Sequence, residues 1–151
     1  MSRHSLRVQL TLFGISCAVL IACSSVLSAK PIGGRAVKDA RPNREFKLKV
    51  GQRVTLKGTR LQIKFISVAN DSRCPSDVTC VWAGNAAARF QLSTGRSQKM
   101  VTLNTSGNAT FVREVEYKGY KVKLVDLSPY PRSDRKIAPH DYVATLLVSN
   151  P

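Results

Sequence analysis

Phe46-Lys47-Leu48-Lys49-Val50 and Leu61-Gln62-Ile63-Lys64-Phe65 alternate apolar with polar side chains without a break. Successive side chains of a strand point to opposite faces, so a period of two over five residues marks a strand with one face buried. The same period continues outward from these two runs. Val54 and Leu56 alternate with Arg53, Thr55 and Lys57, and Ala86, Ala88, Phe90 and Leu92 alternate with Ala87, Arg89 and Gln91. Val101 and Leu103 follow, then the runs 111–117, 120–127 and 142–148. Turn formers separate them: Gly51-Gln52, Lys57-Gly58, Ser106-Gly107-Asn108 and Lys118-Gly119. Tyr117-Lys118-Gly119-Tyr120 has the form of a two-residue hairpin in which Gly119 supplies positive φ. No window of ten or more residues after residue 45 carries a 3.6-residue period. The expectation is an all-β body of about eight short strands, a small antiparallel β-sandwich or barrel with one disulfide-tied loop.

The other end of the chain sets its address. Arg3, His4 and Arg7 precede an apolar run from Val8 to Ala22 that is broken by Gln9, Thr11, Gly14 and Ser16. That run is short of the roughly 20 apolar residues a spanning helix needs. It has the proportions of a signal-peptide core behind a positive end. Leu20-Ile21-Ala22-Cys23 resembles the lipobox of bacterial lipoproteins, in which small residues precede a cysteine that takes lipid and becomes the new N-terminus. The alternative is ordinary cleavage near Ser28 or Ala29, which would place Leu27 where a small residue is preferred. Under the lipid reading residues 1–22 are a lipoprotein signal peptide, 23–45 the lipidated N-terminus and a flexible tether, and 46–151 the β domain. By resemblance, Ser24 behind the modified cysteine points to an outer membrane, with the protein facing the periplasm. The alternative location is soluble periplasmic or secreted.

The chain has 24 lysines and arginines against nine acids, a net charge of +15, and +13 once Arg3 and Arg7 leave with the leader. Such charge draws polyanions. Beyond the cytoplasm these are anionic lipid, lipopolysaccharide, cell-wall polymer or an acidic envelope protein. Export and the lack of any stacking-aromatic motif argue against nucleic acid. Solubility alone is the plainer reading of the charge. Lys47, Lys49, Arg53, Lys57, Lys64, Arg89, Lys121 and Lys123 mostly occupy the polar phase of strands, and strands sharing a sheet would gather them on one face. Of the four cysteines, Cys17 leaves with the leader and Cys23 takes lipid. Cys74 and Cys80 are an even pair in an oxidising compartment, where a disulfide is the default.

Between the strand runs lies Asp71-Ser72-Arg73-Cys74-Pro75-Ser76-Asp77-Val78-Thr79-Cys80-Val81-Trp82-Ala83-Gly84-Asn85-Ala86. The segment resembles a family of small exported bacterial proteins, many of them lipoproteins. Their signature reads D-S-R-C-P, a short spacer, then C-x-W-A-G-x-A. The match falls on Asp71, Ser72, Arg73, Cys74, Pro75, Cys80, Trp82, Ala83, Gly84 and Ala86. The resemblance implies export and a β body over roughly residues 46–149, and implies no activity.

Physically the segment reads as a stapled loop. Closing five residues between Cys74 and Cys80 stabilises by about 2 kcal/mol in the chain-entropy model. Pro75 narrows the unfolded ensemble. Asp71 and Ser72 can bond nearby backbone N–H groups. Trp82 could lie against the disulfide or fill the end of the core, and Gly84 permits a turn or bulge before the next strand. Two roles are open. The loop is a corner capping an open end of the β body, or it presents Asp71, Arg73, Asp77 and Trp82 as a rigid binding patch, joined by Arg132, Arg135 and Lys136 of the long segment 128–140. That segment holds Pro129, Pro131 and Pro139, which exclude a central strand, and loops of this length are often functional.

Motifs for catalysis and cofactors are missing. The mature chain has one histidine, His140, too few nitrogen ligands for a usual zinc site once the thiols are oxidised. Cysteines with five residues between them do not form the C-x-x-C of a redox centre. No G-x-S-x-G elbow accompanies His140, Asp141 and Asp134, and no phosphate loop or dinucleotide fingerprint is present. The expectation is a non-enzymatic cell-envelope lipoprotein, a binding or structural β module needing no cofactor. The alternative is a small secreted enzyme or enzyme inhibitor that uses the Pro-rich loop 128–140.

Overall fold

The computed structural model describes residues 40–107 and 110–150. The leader, Cys23 and most of the expected tether lie outside the described residues. Eight strands form: β1 (Glu45–Lys49), β2 (Arg53–Thr55), β3 (Leu61–Asp71), β4 (Ala86–Thr94), β5 (Ser97–Asn104), β6 (Glu114–Tyr117), β7 (Tyr120–Ser128) and β8 (Val143–Ser149). They make two antiparallel four-stranded sheets, ordered β1-β8-β7-β6 and β2-β3-β4-β5. The fold is a β-sandwich. A single apolar core takes side chains from both sheets, including Leu48, Val54, Ile63, Phe65, Phe90 and Leu146.

Alternation in the sequence becomes alternation in burial. Phe46 and Leu48 are buried while Glu45, Lys47 and Lys49 are exposed, and β4 likewise buries Ala86, Ala88, Phe90 and Leu92. Phe65 and Phe90 sit directly opposite in the β3–β4 register, with ring centroids 4.8 Å apart. A stacked pair of this kind adds about 1 kcal/mol beyond its buried area.

Bulges interrupt the period where the sequence breaks it. Leu124 and Leu127 are both buried although three residues apart. A register shift between Leu124 and Asp126 absorbs the extra residue. β3 has two such shifts, between Phe65 and Ser67 and between Val68 and Asn70. They carry the strand on to Asp71 and re-aim its last residues.

The expected hairpin forms. Tyr117 pairs with Tyr120, and Lys118 and Gly119 both take positive φ, at 52° and 80°. That is the pattern of the primed turn that matches strand twist, with the Lys118 side chain bearing the strain that glycine avoids.

Two boundaries differ from the sequence reading. Residues 40–45, inside the segment assigned to the tether, belong to the β body. Ala40 is buried, its carbonyl accepts the Lys57 N–H at 2.9 Å, and the Asn43 N–H bonds to the Val148 carbonyl at 2.7 Å. These backbone bonds do not depend on side-chain period, so alternation alone misses them. The run 111–117 is a strand only from Glu114; Phe111 and Val112 lie in the preceding loop and are exposed.

Candidate functional site: the stapled loop end

β3 runs from Leu61 at one end of the sandwich to Asp71 at the other. Three long connections, 72–85, 105–113 and 129–142, meet at the Asp71 end. Cys74 and Cys80 are joined by the expected disulfide, with Cα atoms 5.9 Å apart. Two backbone bonds zip the loop's flanks, from the Ser72 N–H to the Asn85 carbonyl and from the Cys74 N–H to the Ala83 carbonyl, at 2.8 and 2.9 Å. Asp71 and Ser72 bond backbone N–H groups as their types suggest. Asp71 Oδ1 accepts the Arg73 N–H, and Ser72 Oγ accepts the Asn85 N–H. Gly84 lets the flanks close. It has φ +70°, and a Cβ there would stand 1.8 Å from the Ser72 carbonyl oxygen.

Arg73 is the anchor of this end, and it is internal. Its guanidinium donates to both Asp71 carboxylate oxygens, at 2.8 and 2.6 Å, and to the carbonyls of Leu127 and, at 3.0 Å, Pro129. The Tyr130 ring lies 4.8 Å from the guanidinium carbon. The Tyr142 hydroxyl donates to Asp71 Oδ2 at 3.1 Å. Burial pushes the Asp71 carboxyl up, but the hydrogen bonds and charge of Arg73, with the Tyr142 bond, outweigh it, and the group ends below the usual carboxylate range. Burial beside the Asp71 carboxylate pushes the Tyr142 hydroxyl up to about 12.

The long segment 129–142 is pinned onto the stapled loop. The Ser76 N–H donates to the Pro131 carbonyl at 2.9 Å. Asp77 accepts the Ser133 N–H at 2.9 Å and its hydroxyl at 2.6 Å. Those two bonds, with Arg132 3.9 Å away, hold the Asp77 carboxyl below its ordinary value. Arg132 bonds Asp134 at 3.1 Å, and Arg135 stands 3.7 Å from the same carboxylate. On the other flank, Asn85 joins the loop after β5, donating to Asn104 Oδ1 and accepting the Ser106 N–H.

The patch expected from sequence therefore divides. Asp71 and Arg73 are not displayed; they hold the loops together, because a guanidinium ringed by carbonyls and a carboxylate is better satisfied inside than in a bare apolar corner. Asp77 and Arg132 are at the surface but engaged within the loop pair. Trp82 neither covers the disulfide nor fills the core. It is 82 % exposed, beside Val81 at 90 %, with Val78 at 48 %. The core is made mainly by side chains of the two sheets, and Trp82 is not among them. Arg135 and Lys136 are exposed and line the mouth of a cleft of about 400 Å³ between the end of β3 and the long loop. Val81 and Tyr142 were missed by the sequence reading. Val81 is legible in retrospect as the apolar neighbour of Trp82 outside any strand. Tyr142 carries no local signal, since its partner lies 71 residues away.

The strand cations do not gather on one face. Lys47, Lys49, Lys121 and Lys123 share the outer face of the β1-β8-β7-β6 sheet with Glu45, Glu114 and Glu116, and Lys121 pairs with Glu114 at 3.6 Å. Arg53, Lys64 and Arg89 lie on the other sheet. His140 is exposed, 3.4 Å from the Asp141 carboxylate. Among the described residues no cluster of three or more His, Cys, Asp or Glu side chains is placed to hold a metal, and no helix is long and apolar enough to cross a membrane.

The chain was compared with protein-family models, curated proteins and solved structures, and none of them matches it.

Proposed function

We propose that this chain is a non-enzymatic binding module of the bacterial cell envelope, anchored by lipid at Cys23, whose recognition end is the stapled loop with the segment 129–142 packed beside it. The observation that carries the reading is the exposure of Val81 and Trp82 on a loop tied by the Cys74–Cys80 disulfide and by backbone bonds between its flanks. An exposed apolar pair is costly to leave in water and marks an interaction site more often than a scattered single residue does. Tryptophan is the side chain most enriched among residues that dominate interface energy. A disulfide, a paired loop and a buried ion pair pre-organise it, so little ordering entropy remains to be lost on binding. Arg135 and Lys136, exposed on the segment 129–142 at the same end of the sandwich, favour a partner that carries acidic groups, such as an acidic envelope protein.

The address rests on the leader, the lipobox-like Leu20-Ile21-Ala22-Cys23, and the resemblance of residues 71–86 to the signature of small exported proteins. A disulfide in the folded body accords with an oxidising compartment.

The test has two parts. A mass spectrum of the mature N-terminus should show a lipid-modified Cys23; an intact leader would overturn the anchored reading. A photocrosslinking residue at position 81 should give a discrete adduct in intact envelopes, and the same probe at Glu116 should not. No adduct at position 81, or equal adducts at both, would overturn the recognition end.

A further inference from the structure

The opposite end of the sandwich has a different character. There the chain enters at Ala40, and the turn 57–60 and the hairpins at Gly95-Arg96 and Lys118-Gly119 surround it. Arg41, Lys57, Arg60, Arg96 and Lys118 are all exposed at this end. Gly58, Thr59, Arg60, Thr94, Lys118 and Tyr120 line one shallow depression, which places the turn and a hairpin side by side. The turn 57–60 and the two hairpin loops hold no acid; Asp39 precedes Ala40 in the sequence, and Glu45 and Glu116 stand on the adjoining strands. The sequence has none between Glu45 and Asp71, nor between Asp77 and Glu114. The outer face of the adjoining β2-β3-β4-β5 sheet continues the pattern. Arg53 stands directly opposite Lys64 across the β2–β3 pair, a like-charge juxtaposition that costs stability unless an anion relieves it. The acids of the described residues fall on the other sheet and at the stapled-loop end.

We propose that this cation-rich end docks on anionic lipid headgroups of the bilayer that holds Cys23, so that the stapled loop points away from the membrane. The inference rests on the lipid-anchored reading and gives it an orientation. Residues 23–39 can span at most about 60 Å even when fully extended. The bilayer is thus always within reach of the end where the chain enters. β3 spans about 33 Å, so docking there carries Trp82 roughly that far from the headgroups. Each cation near an anionic bilayer strengthens binding by about fivefold. A soluble polyanion has no reason to be met at the tethered end in particular, whereas the anchoring bilayer does.

The mature chain carrying Cys23→Ser, which removes the lipid, should sediment with vesicles of phosphatidylcholine and phosphatidylglycerol at 7:3, but not with phosphatidylcholine alone. Raising the salt should release it. The triple variant Lys57→Gln/Arg60→Gln/Arg96→Gln should bind about a hundredfold more weakly. The charge-matched variant Lys47→Gln/Lys49→Gln/Lys123→Gln, drawn from the other sheet, should bind within a few-fold of the parent. All six positions are exposed, and circular dichroism will report that both variants fold. Equal losses in the two variants would reduce the effect to net charge and overturn the proposal. So would the absence of vesicle binding, or binding to soluble polyphosphate but not to vesicles. Lipid found on Cys23 together with no vesicle binding would overturn the docking and leave the anchor standing.

Discussion

The Arg73 guanidinium and the Asp71 carboxylate meet at 2.6 Å, two residues apart where β3 passes into the stapled loop, with side chains only 3 % and 9 % exposed. The same guanidinium reaches carbonyls at the end of β7 in the opposite sheet, and Tyr142, just ahead of β8, reaches the same carboxylate. One local ion pair thus ties the end of one sheet to two strand ends of the other. Removing one member of a buried pair leaves an uncompensated charge, at a cost of about 3–5 kcal/mol. Arg73→Ala and Asp71→Ala should each lower the urea midpoint accordingly. The double variant should lose less than the sum of the two. Additive losses would show that the two side chains act independently.

The pair also sets an acid limit. Asp71 titrates lower in the folded chain than in the unfolded one, so its contribution is present above the unfolded value of 3.8 and is lost as pH falls through the folded value. Stability should therefore fall below about pH 4. Asp71→Asn should flatten that part of the curve while lowering the plateau above it.

Tyr142 sets an alkaline limit of opposite sign. Its hydroxyl, normally near 10, is raised to about 12, so the neutral form is favoured by folding. That stabilisation is complete below pH 10 and is lost as pH rises towards 12. The difference in unfolding free energy between the parent and Tyr142→Phe should shrink across that interval, by about 2 kcal/mol. A constant difference would mean that the hydroxyl titrates normally.

The disulfide acts mainly on the unfolded chain. Reduction, or Cys74→Ala/Cys80→Ala, should cost about 2 kcal/mol without unfolding the sandwich. The doubly substituted chain should be insensitive to reductant. Amide exchange should speed up in residues 75–82 and stay slow in β3 and β4.

Two glycines separate strain from collision. Gly58 and Gly84 both have positive φ, 76° and 70°, but a Cβ on Gly58 meets nothing within 4 Å. Gly58→Ala should cost about 1 kcal/mol for the left-handed backbone alone. Gly84→Ala must also push the Ser72 carbonyl aside, and should cost several times more. Similar losses in thermal unfolding for the two variants would overturn the close approach of the loop flanks.

Much of the body was legible in local sequence. A period of two in 46–50, 61–65 and 86–92 depends only on which face of a strand meets the core, so it marks strands wherever they pair. The hairpin at Lys118-Gly119 and the staple between Cys74 and Cys80 are also short-range facts, decided by backbone allowance and by six residues of separation. The stretches without acids were legible too, but only the strand order shows that they supply β2, β4, β5 and all of β3 except Asp71, which form one sheet.

The sequence alone therefore determined the strands, the turns and the loop that is tied. Only the tertiary structure decided that Arg73 is held inside while Trp82 stands outside, though nine residues separate them. Arg73 is satisfied by carbonyls 54 and 56 residues away and Asp71 by a hydroxyl 71 residues away. Such partners meet only after two sheets have closed on one core. The core they close takes its side chains mainly from the strands, while Trp82, on the loop between β3 and β4, stays in water.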